Sequence, residues 1–295
     1  PPSERYFEGR FSNGPVWVDQ LAAYLKINKK KFFPSRDGAL RFEKGHSISY
    51  AHGGSGTFEL NNTPASPLLP SLPVPGLLGQ VNNFGAAVME AGMTTAEPSA
   101  LYVIWSGAND YLLGGTPGTN LPPPDPVTTT ANILAAIETL YELGAREFMV
   151  ANLPDLGNIP ISALLGPEIQ QNLALVTNFH NDLLLSALGQ FTVTHENSTI
   201  HYLDVFSLIA GISSFPRAFG FTNTFSDPGP ASNCLIPLFG PENQDCSALP
   251  FGLESGGSVF WDSQHPSTEL HRYIAIRSFL CLKLPGSCAV ESAVD

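Results

Sequence analysis

The sequence predicts an α/β fold in which helices cover both faces of a parallel β-sheet. Segments typical of strands and segments typical of helices alternate along the chain, which is the pattern of βαβ units. The strand-like runs "ALYVIWSG" (100–107) and "EFMVANLP" (147–154) are apolar along most of their length, as expected of strands buried on both faces. The chain has 295 residues, 43% of them hydrophobic, so we expect a single large domain over residues 1–295.

Five segments with helical periodicity alternate with four strand-like runs. Pro15 and Pro266 suit the first turns of the first and last helices, because a missing N–H costs nothing there. Gly92, Gly144 and Gly189 suit the ends of three other helices. Helices are expected at 14–25, 76–92, 128–144, 166–189 and after His265, and strands at 47–54, 100–107, 147–154 and 199–206, the last followed by a short helix.

Two segments have little regular pattern. The stretch 214–258 predicts a long loop or lid-like insertion within the same domain. The run "PLLPSLPVPGLLG" (67–79) is interrupted by prolines and predicts an ordered surface loop. The apolar, proline-rich loop 64–79 and the stretch 214–258 are candidates for shaping an acyl pocket, but loops do not report the length of an acyl chain.

The composition argues against two classes of partner. Asp and Glu outnumber Lys and Arg by 26 to 14, which gives a formal net charge of −12. An acidic surface repels the phosphate backbone, so we expect no nucleic-acid partner. No apolar run reaches the roughly 18 residues of a transmembrane helix, so we expect no membrane-spanning segment. We further expect a monomer.

The four cysteines fall into two sequence-local pairs, Cys234 with Cys246 and Cys281 with Cys288. Zinc sites use closer spacing, so these pairs favour two short-loop disulfides over a metal centre. Disulfides persist in oxidising compartments, and we therefore expect a secreted, periplasmic or extracellular protein. The alternative is four unpaired thiols buried in a cytosolic protein.

Three strand ends carry residues that suit catalysis, and the functional sites of open parallel sheets gather at the carboxyl ends of the strands. The first, "YAHGGSGT" (50–57), is a glycine turn whose backbone N–H groups could point into a site, although a plain tight turn reads the same way. In the second, "WSGANDYL" (105–112), Asn109 can donate a hydrogen bond to a developing oxyanion. Asn-Asp is also common turn chemistry. The third is "WDSQHP" (261–266).

Asp262 and His265 lie close together at the entrance to the last helix. Ester hydrolysis needs a base that takes the proton of a hydroxyl nucleophile, and that base needs an acceptor on its other ring nitrogen. The pair therefore predicts His265 as the base and Asp262 as the carboxylate that orients it. The alternative is an ordinary helix N-terminus with Asp262 as the cap and His265 exposed.

These motifs, in this order, resemble those of one enzyme family. From near residue 6 to about 280, the chain resembles the SGNH, or GDSL-type, esterases and lipases, above all the secreted branch with the "GRFSNGPVW" signature. The resemblance implies a serine hydrolase on a three-layer α/β/α fold with a doubly wound parallel sheet, and no metal or organic cofactor. The segments that carry it are "YFEGRFSNGPVWVDQLA" (6–22), "YAHGGSGT", "WSGANDYL", "ANLPDLGNIP" (151–160) and "FWDSQHPSTELH" (260–271).

Carried over residue by residue, the resemblance assigns four residues to an active site. Gly54, or alternatively Gly53, and Asn109 are expected to hold the oxyanion together with the N–H of the nucleophilic serine. Asp262 is expected to orient His265, the base. The implied substrate is an acyl ester, and phospholipids, triglycerides, acetylated sugars and small soluble esters all remain open.

The nucleophile that the family carries has no counterpart in residues 1–295, because no Gly-Asp-Ser motif occurs there. We therefore expect a domain truncated at its N-terminus, with the serine encoded upstream and the central first strand absent. One alternative is a protein that lost the motif and binds an acylated or glycan ligand without turnover. Another is Ser47 in "GHSIS" (45–49), which approximates the nucleophile elbow of α/β-hydrolases but lacks the closing glycine and a following helix.

Overall fold

The computed structural model describes residues 6–28, 32–34, 46–62, 73–115, 120–225, 227, 229, 256–284 and 286–290. In these ranges the helices are α1 (Trp17–Tyr24), α2 (Leu77–Glu90), α3 (Ala108–Leu112), α4 (Pro126–Glu142), α5 (Pro160–Leu165), α6 (Pro167–Thr194), α7 (Val205–Ser214) and α8 (Thr268–Lys283). The strands are β1 (Phe32–Pro34), β2 (Ser47–Ser49), β3 (Leu60–Asn62), β4 (Pro73–Pro75), β5 (Leu101–Ile104), β6 (Glu147–Ala151) and β7 (Thr199–Leu203).

A three-stranded parallel sheet, ordered β5-β6-β7, lies at the centre of the described fold. Leu101 is opposite Glu147 on the first pair of strands, and Glu147 is opposite Thr199 on the second. The middle strand β6 is buried along Phe148–Ala151, as its apolar sequence predicts. The α/β class with a parallel sheet is therefore confirmed.

Helices pack on both faces of this sheet, because side chains of β6 point alternately to two separate cores. Met149 and Ala151 join the core that contains α1 and α8, represented by Leu21 and Ile274. Phe148 and Val150 join a second core formed with α2, α4 and α6. The members of this second core from the three helices include Leu77, Val81, Ile133, Ile137, Leu184 and Leu188. The arrangement is a three-layer α/β/α sandwich.

A second parallel ladder, β1 with β2, is not hydrogen-bonded to the three-stranded sheet in the described part of the chain. Aromatic rings connect the two: Tyr50, just after β2, packs against Phe84 of α2 with ring centroids 5.8 Å apart, and Phe84 packs against Tyr102 of β5 at 5.8 Å. In the described part of the chain, ring contacts rather than strand pairing therefore join this ladder to the three-stranded sheet.

Several expected helix boundaries are wrong. Pro15 and Pro266 lie two residues before their helices, because Val16 and Ser267 occupy the N-cap positions and the Ser267 hydroxyl accepts a hydrogen bond from Leu270. Pro266 instead pairs with Phe260 in an isolated β-bridge. Gly189 does not end α6 but is buried within it, and the helix continues to Thr194.

The two segments of weak pattern are only partly described. In the run 67–79, β4 pairs with β3 in antiparallel fashion and α2 begins at Leu77, so its described part is not the loop that was expected. After α7, a 3₁₀ turn spans Pro216–Phe219. Most of the predicted insertion 214–258 lies outside the described residues, and the insertion stays a prediction.

The predicted pairing of Cys281 with Cys288 is present as a disulfide. It joins α8 to the segment 286–290, in which Cys288 accepts a hydrogen bond from the backbone of Tyr202 on the outer edge of β7 (2.8 Å). Cys234 and Cys246 lie outside the described residues. Among the described helices, none is both long and apolar enough to cross a bilayer.

Candidate active site

The segment Val259–Ser267, which leads into α8, is folded into a closed turn. Its ends are joined by the bridge between Phe260 and Pro266 and by a hydrogen bond from the Ser267 N–H to the Val259 carbonyl (2.9 Å). Inside the turn, the N–H of Trp261 donates to the carbonyl of His265 (2.8 Å). These backbone bonds fix the part of the chain that carries the predicted acid and base.

Asp262 and His265 form the predicted pair. The imidazole Nδ1 lies 2.9 Å from Oδ2 and 3.1 Å from Oδ1 of the carboxylate. The side chain of Asp262 is fully buried, whereas 29% of the His265 side chain is exposed. Because the carboxylate engages Nδ1, the Nε2 atom is the ring nitrogen left for proton transfer to a substrate or nucleophile. Since Ser267 caps α8, the alternative in which Asp262 caps the helix does not hold.

The glycine turn after β2 contains both residues considered for the oxyanion site. Gly54 adopts φ +76°, a conformation that favours glycine over residues with a side chain. At Gly53, a Cβ atom would lie 2.1 Å from Cε2 of Phe11, so the aromatic ring fills the space beside this glycine. The turn therefore depends on glycine at two adjacent positions for two different reasons.

Asn109 lies in the first turn of α3, directly after β5. Gly107, with φ +117°, provides the left-handed residue that turns the chain from the strand into this helix. The Asn109 side-chain amide donates a hydrogen bond to the backbone carbonyl of Ser55 in the glycine turn (2.9 Å). An amide nitrogen carries two hydrogens, and this bond uses one of them.

Asp110, the next residue in the sequence, is hydrogen-bonded to the last residue of the glycine turn, Thr57. Its buried carboxylate accepts the backbone N–H of Thr57 (3.0 Å) and the Thr57 hydroxyl (2.6 Å). Burial raises the pKa of Asp110 above its ordinary value, and the bonds from Thr57 partly offset that rise. Asn109 and Asp110 therefore hold the same turn by its carbonyl and by its N–H.

The ring of Phe11 contacts both parts of the candidate site, the Asp262–His265 pair and the glycine turn. It stacks on the imidazole of His265 with centroids 4.7 Å apart and an interplanar angle of 28°. The same ring lies against Gly53. The structure therefore places Asp262 and His265 in direct contact, brings Gly53 of the glycine turn against the ring that stacks on His265, and bonds Asn109 to the same turn at Ser55.

Two residues that contact the Asp262–His265 pair were not predicted from the sequence to be part of the site. Phe11 and Tyr6, whose hydroxyl donates to Oδ2 of Asp262 at 2.9 Å, both lie in the segment 6–22 that carried the family resemblance. The resemblance marked the segment but gave it no role in the site. Burial, and after it the charge of Asp262, raises the pKa of Tyr6 above its ordinary value, so its phenol remains a donor.

The other candidates from the sequence fit less well. Ser47 lies within β2 and is not followed by a helix, so it is not on a nucleophile elbow. No group of three or more His, Cys, Asp or Glu side chains suited to a metal ion occurs among the residues that the structure describes. His271, on α8, has its pKa lowered to about 3, chiefly by burial and secondarily by the charge of His265.

Comparison with known proteins identifies the fold and motifs with one family. A family model described as GDSL-like Lipase/Acylhydrolase matches residues 3–277. A phosphatidylcholine-sterol acyltransferase of Aeromonas hydrophila is 25% identical, over 100% of this chain and 84% of that protein. Two GDSL esterase/lipases of Arabidopsis thaliana are 24% and 27% identical, over 92% and 89% of this chain and 76% and 72% of theirs. These relatives support a hydrolase that acts on ester bonds.

Proposed function

This chain belongs to the GDSL-like lipase/acylhydrolase family, and we propose that it hydrolyses acyl esters by a serine mechanism in which His265 is the base. The observation that carries the proposal is the buried Asp262 carboxylate on Nδ1 of His265, beside the glycine turn and Asn109. A carboxylate on one ring nitrogen fixes the tautomer and leaves the other nitrogen to accept a proton.

In the proposed reaction, Nε2 of His265 takes the proton of a serine hydroxyl while the serine oxygen bonds to the acyl carbon. The carbonyl oxygen becomes an oxyanion, which the Gly54 N–H and the Asn109 amide stabilise. His265 then returns the proton to the departing alcohol, leaving an acyl-enzyme, and a water molecule activated by the same imidazole releases the acid. Each oxyanion donor of this kind typically contributes about 3 kcal/mol to the transition state.

The nucleophilic serine is proposed to lie on a segment that precedes Pro1. Among the described strands, β5 pairs only with β6 and β2 pairs only with β1. One further parallel strand between β2 and β5 would pair both of these edges. Its carboxyl end would then lie beside the glycine turn, which follows β2, and beside Asn109, which follows β5, so a serine at that end would meet both oxyanion donors.

The proposed substrate is an ester of a lipid or of an acylated small molecule, and the proposed location is outside the cytosol. The Cys281–Cys288 disulfide supports an oxidising compartment. The net charge of −12 supports an uncharged or cationic alcohol portion more than a polyanion.

The test uses the native full-length protein with p-nitrophenyl acetate and p-nitrophenyl octanoate. We expect hydrolysis of at least one ester and covalent labelling of one serine by a fluorophosphonate, which peptide mapping then locates. His265→Ala should reduce kcat by about 10³-fold or more. The matched control is His195→Gln, because this histidine pairs with Glu138 at the opposite end of the sheet and should be dispensable.

The outcomes separate the parts of the proposal. Full activity in His265→Ala would overturn the mechanism. Labelling of a serine within residues 1–295 would overturn the location of the nucleophile but not the ester hydrolysis. A folded native protein that binds an ester without hydrolysis or labelling would identify a binding protein instead.

A further inference from the structure

We propose that Tyr6 is a positioning residue of this reaction, which holds Asp262 in the orientation that directs His265. The proposal rests on the function proposed above and adds a residue to it. Tyr6 does not contact the reacting atoms; it would act through the carboxylate. Its hydroxyl is 2.9 Å from Oδ2 of Asp262, and the residue is only 5% exposed.

The carboxylate of Asp262 has a complete set of donors only when Tyr6 is included. Oδ1 accepts the backbone N–H groups of Gln264 and His265, each at 2.7 Å. Oδ2 accepts the Tyr6 hydroxyl and Nδ1 of His265, each at 2.9 Å. A carboxylate offers about four acceptor positions, and these four donors occupy them. Because Asp262 is fully buried, water cannot replace a missing donor without rearrangement.

Tyr6 lies at the start of a turn that is closed by a hydrogen bond and bonded to the entrance of α8. The N–H of Phe7 donates to the carbonyl of Ser12 (2.9 Å), which closes the segment on itself. The hydroxyl of Ser12 donates to the carbonyl of Pro266 (2.9 Å), and Asn13 accepts the N–H of Thr268 (2.9 Å). The turn is therefore hydrogen-bonded to Pro266 and Thr268, which follow His265, and its Tyr6 phenol is hydrogen-bonded to Asp262, which precedes His265.

The phenol and the imidazole share one carboxylate oxygen, which gives the proposal a measurable consequence. A donor on Oδ2 draws off part of the negative charge that would otherwise stabilise the protonated imidazole. In the described part of the chain, the titratable groups around the pair are Asp262, which contacts His265, Tyr6, which contacts Asp262, and His271 on α8, which interacts with the charge of His265. Removing the Tyr6 hydroxyl leaves more negative charge on Asp262 and does not alter His271.

The variant Tyr6→Phe, made in the native full-length protein, tests this role with p-nitrophenyl acetate between pH 5 and 9. We expect kcat to fall by about tenfold with little change in KM, because one hydrogen bond to a buried charge is lost. We also expect the acidic limb of the kcat/KM profile to move to higher pH, since the imidazolium gains the charge on Oδ2. The matched control is Tyr273→Phe, whose hydroxyl donates to the Phe219 carbonyl (2.7 Å) and not to the pair.

A role in packing alone predicts a different result. Tyr6→Phe would then lower the melting temperature, as Tyr273→Phe should, while kcat and the acidic limb stay at wild-type values, and that result would overturn the proposal. If His265→Ala retained activity, the proposed function would fail first, so the two failures are distinguishable.

A second measurement covers poor folding of Tyr6→Phe. 3-Fluorotyrosine at position 6 keeps the size of the ring and strengthens the donor, so the acidic limb should move to lower pH. An unmoved limb in the folded fluorinated protein would also contradict the proposal.

Discussion

The ring of Phe11 occupies the space in which Gly53 would carry a Cβ atom, with Cε2 only 2.1 Å from that position. Phe11 also stacks on His265, so one aromatic ring contacts both the glycine turn and the proposed base. The close approach makes the relative position of the two halves of the site sensitive to a single methyl group.

Gly53→Ala should therefore lower kcat by at least about tenfold, because Phe11 must move and the imidazole stacked on it moves with it. The measurement is kcat for p-nitrophenyl acetate alongside the melting temperature. The control is Gly211→Ala in α7, where no atom lies within 4 Å of the added methyl and the helix should be unaffected or slightly more stable. Full activity in Gly53→Ala would show that the ring does not set the geometry of the site.

Asp110→Asn should loosen the glycine turn from α3. Asn replaces one carboxylate oxygen with an NH₂ donor, which would then lie about where Oδ2 now accepts the Thr57 N–H at 3.0 Å, so the shortest contact with that N–H changes from donor–acceptor to donor–donor. We expect unfolding to require about 1–3 kcal/mol less free energy and kcat to fall, with KM changed less than kcat. Urea unfolding and steady-state kinetics measure the two effects.

The comparison for that variant is Asp204→Asn, at the N-cap of α7. Asp204 also accepts a backbone N–H, from Ser207 (3.0 Å), and a side-chain donor, from Asn152 (2.9 Å). Both bonds go to Oδ1, an oxygen that Asn retains, so this replacement should reduce stability less than Asp110→Asn does and should leave kcat nearly unchanged. Equal losses of kcat in the two variants would contradict the prediction that Asp110 affects catalysis through the glycine turn.

The sequence was sufficient to predict the class of the fold because apolar periodicity reflects burial directly. The apolar run 147–154 predicted a strand buried on both faces, and β6 is such a strand. Helix boundaries were less predictable, because they depend on which residue provides the cap. Pro266 suggested a helix start, but Ser267 is the N-cap and α8 begins at Thr268. Gly189 suggested a helix end, but it lies inside α6.

The candidate site was predictable where its chemistry is local. Asp262 and His265 are three residues apart, and their spacing alone suggested a pair. Tyr6 lies 256 positions from Asp262 in the sequence, so only the folded chain brings them together. Asp110 was grouped with Asn109 as turn chemistry, but the structure gives its carboxylate a separate role because it faces Thr57.

Stability should fall as the pH is lowered from 7.5 to 5.0. Burial lowers the pKa of His180 to about 4 and that of His271 to about 3, both below the ordinary value of 6.5. Between those values the unfolded chain binds protons that the folded protein does not, so the stabilisation present above pH 6.5 is lost as the pH falls. Each histidine should account for about 2 kcal/mol at pH 5.

Urea unfolding at the two pH values measures this effect. His180→Gln should flatten the dependence on pH, because one of the two buried imidazoles is gone. The raised pKa of Asp110 acts in the opposite direction, since the folded protein binds that proton more readily than the unfolded chain does. A protein as stable at pH 5.0 as at pH 7.5 would contradict the assignment of both histidines as neutral buried groups.

The Cys281–Cys288 disulfide should contribute to stability without contributing to catalysis. It closes a loop with a sequence separation of 7, for which the chain-entropy model gives about 2 kcal/mol. It also fixes the segment 286–290 on β7, where Ala289 bridges His201 and Cys288 accepts the N–H of Tyr202. This edge of the sheet is two strands away from β5, which leads to Asn109.

The double variant Cys281→Ala/Cys288→Ala should therefore unfold at lower urea concentration and keep its kcat for p-nitrophenyl acetate. Hydrogen exchange at the Tyr202 amide distinguishes local release of the segment 286–290 from a general loss of stability. If the release is local, that amide should lose protection before the amides of β6 do. The control is a Cys234→Ala/Cys246→Ala variant treated with dithiothreitol, in which Cys281 and Cys288 are the remaining cysteines and reduction should reproduce both changes. If kcat fell in parallel with stability, the outer edge of β7 would be coupled to the site, and the separation of the two roles would be wrong.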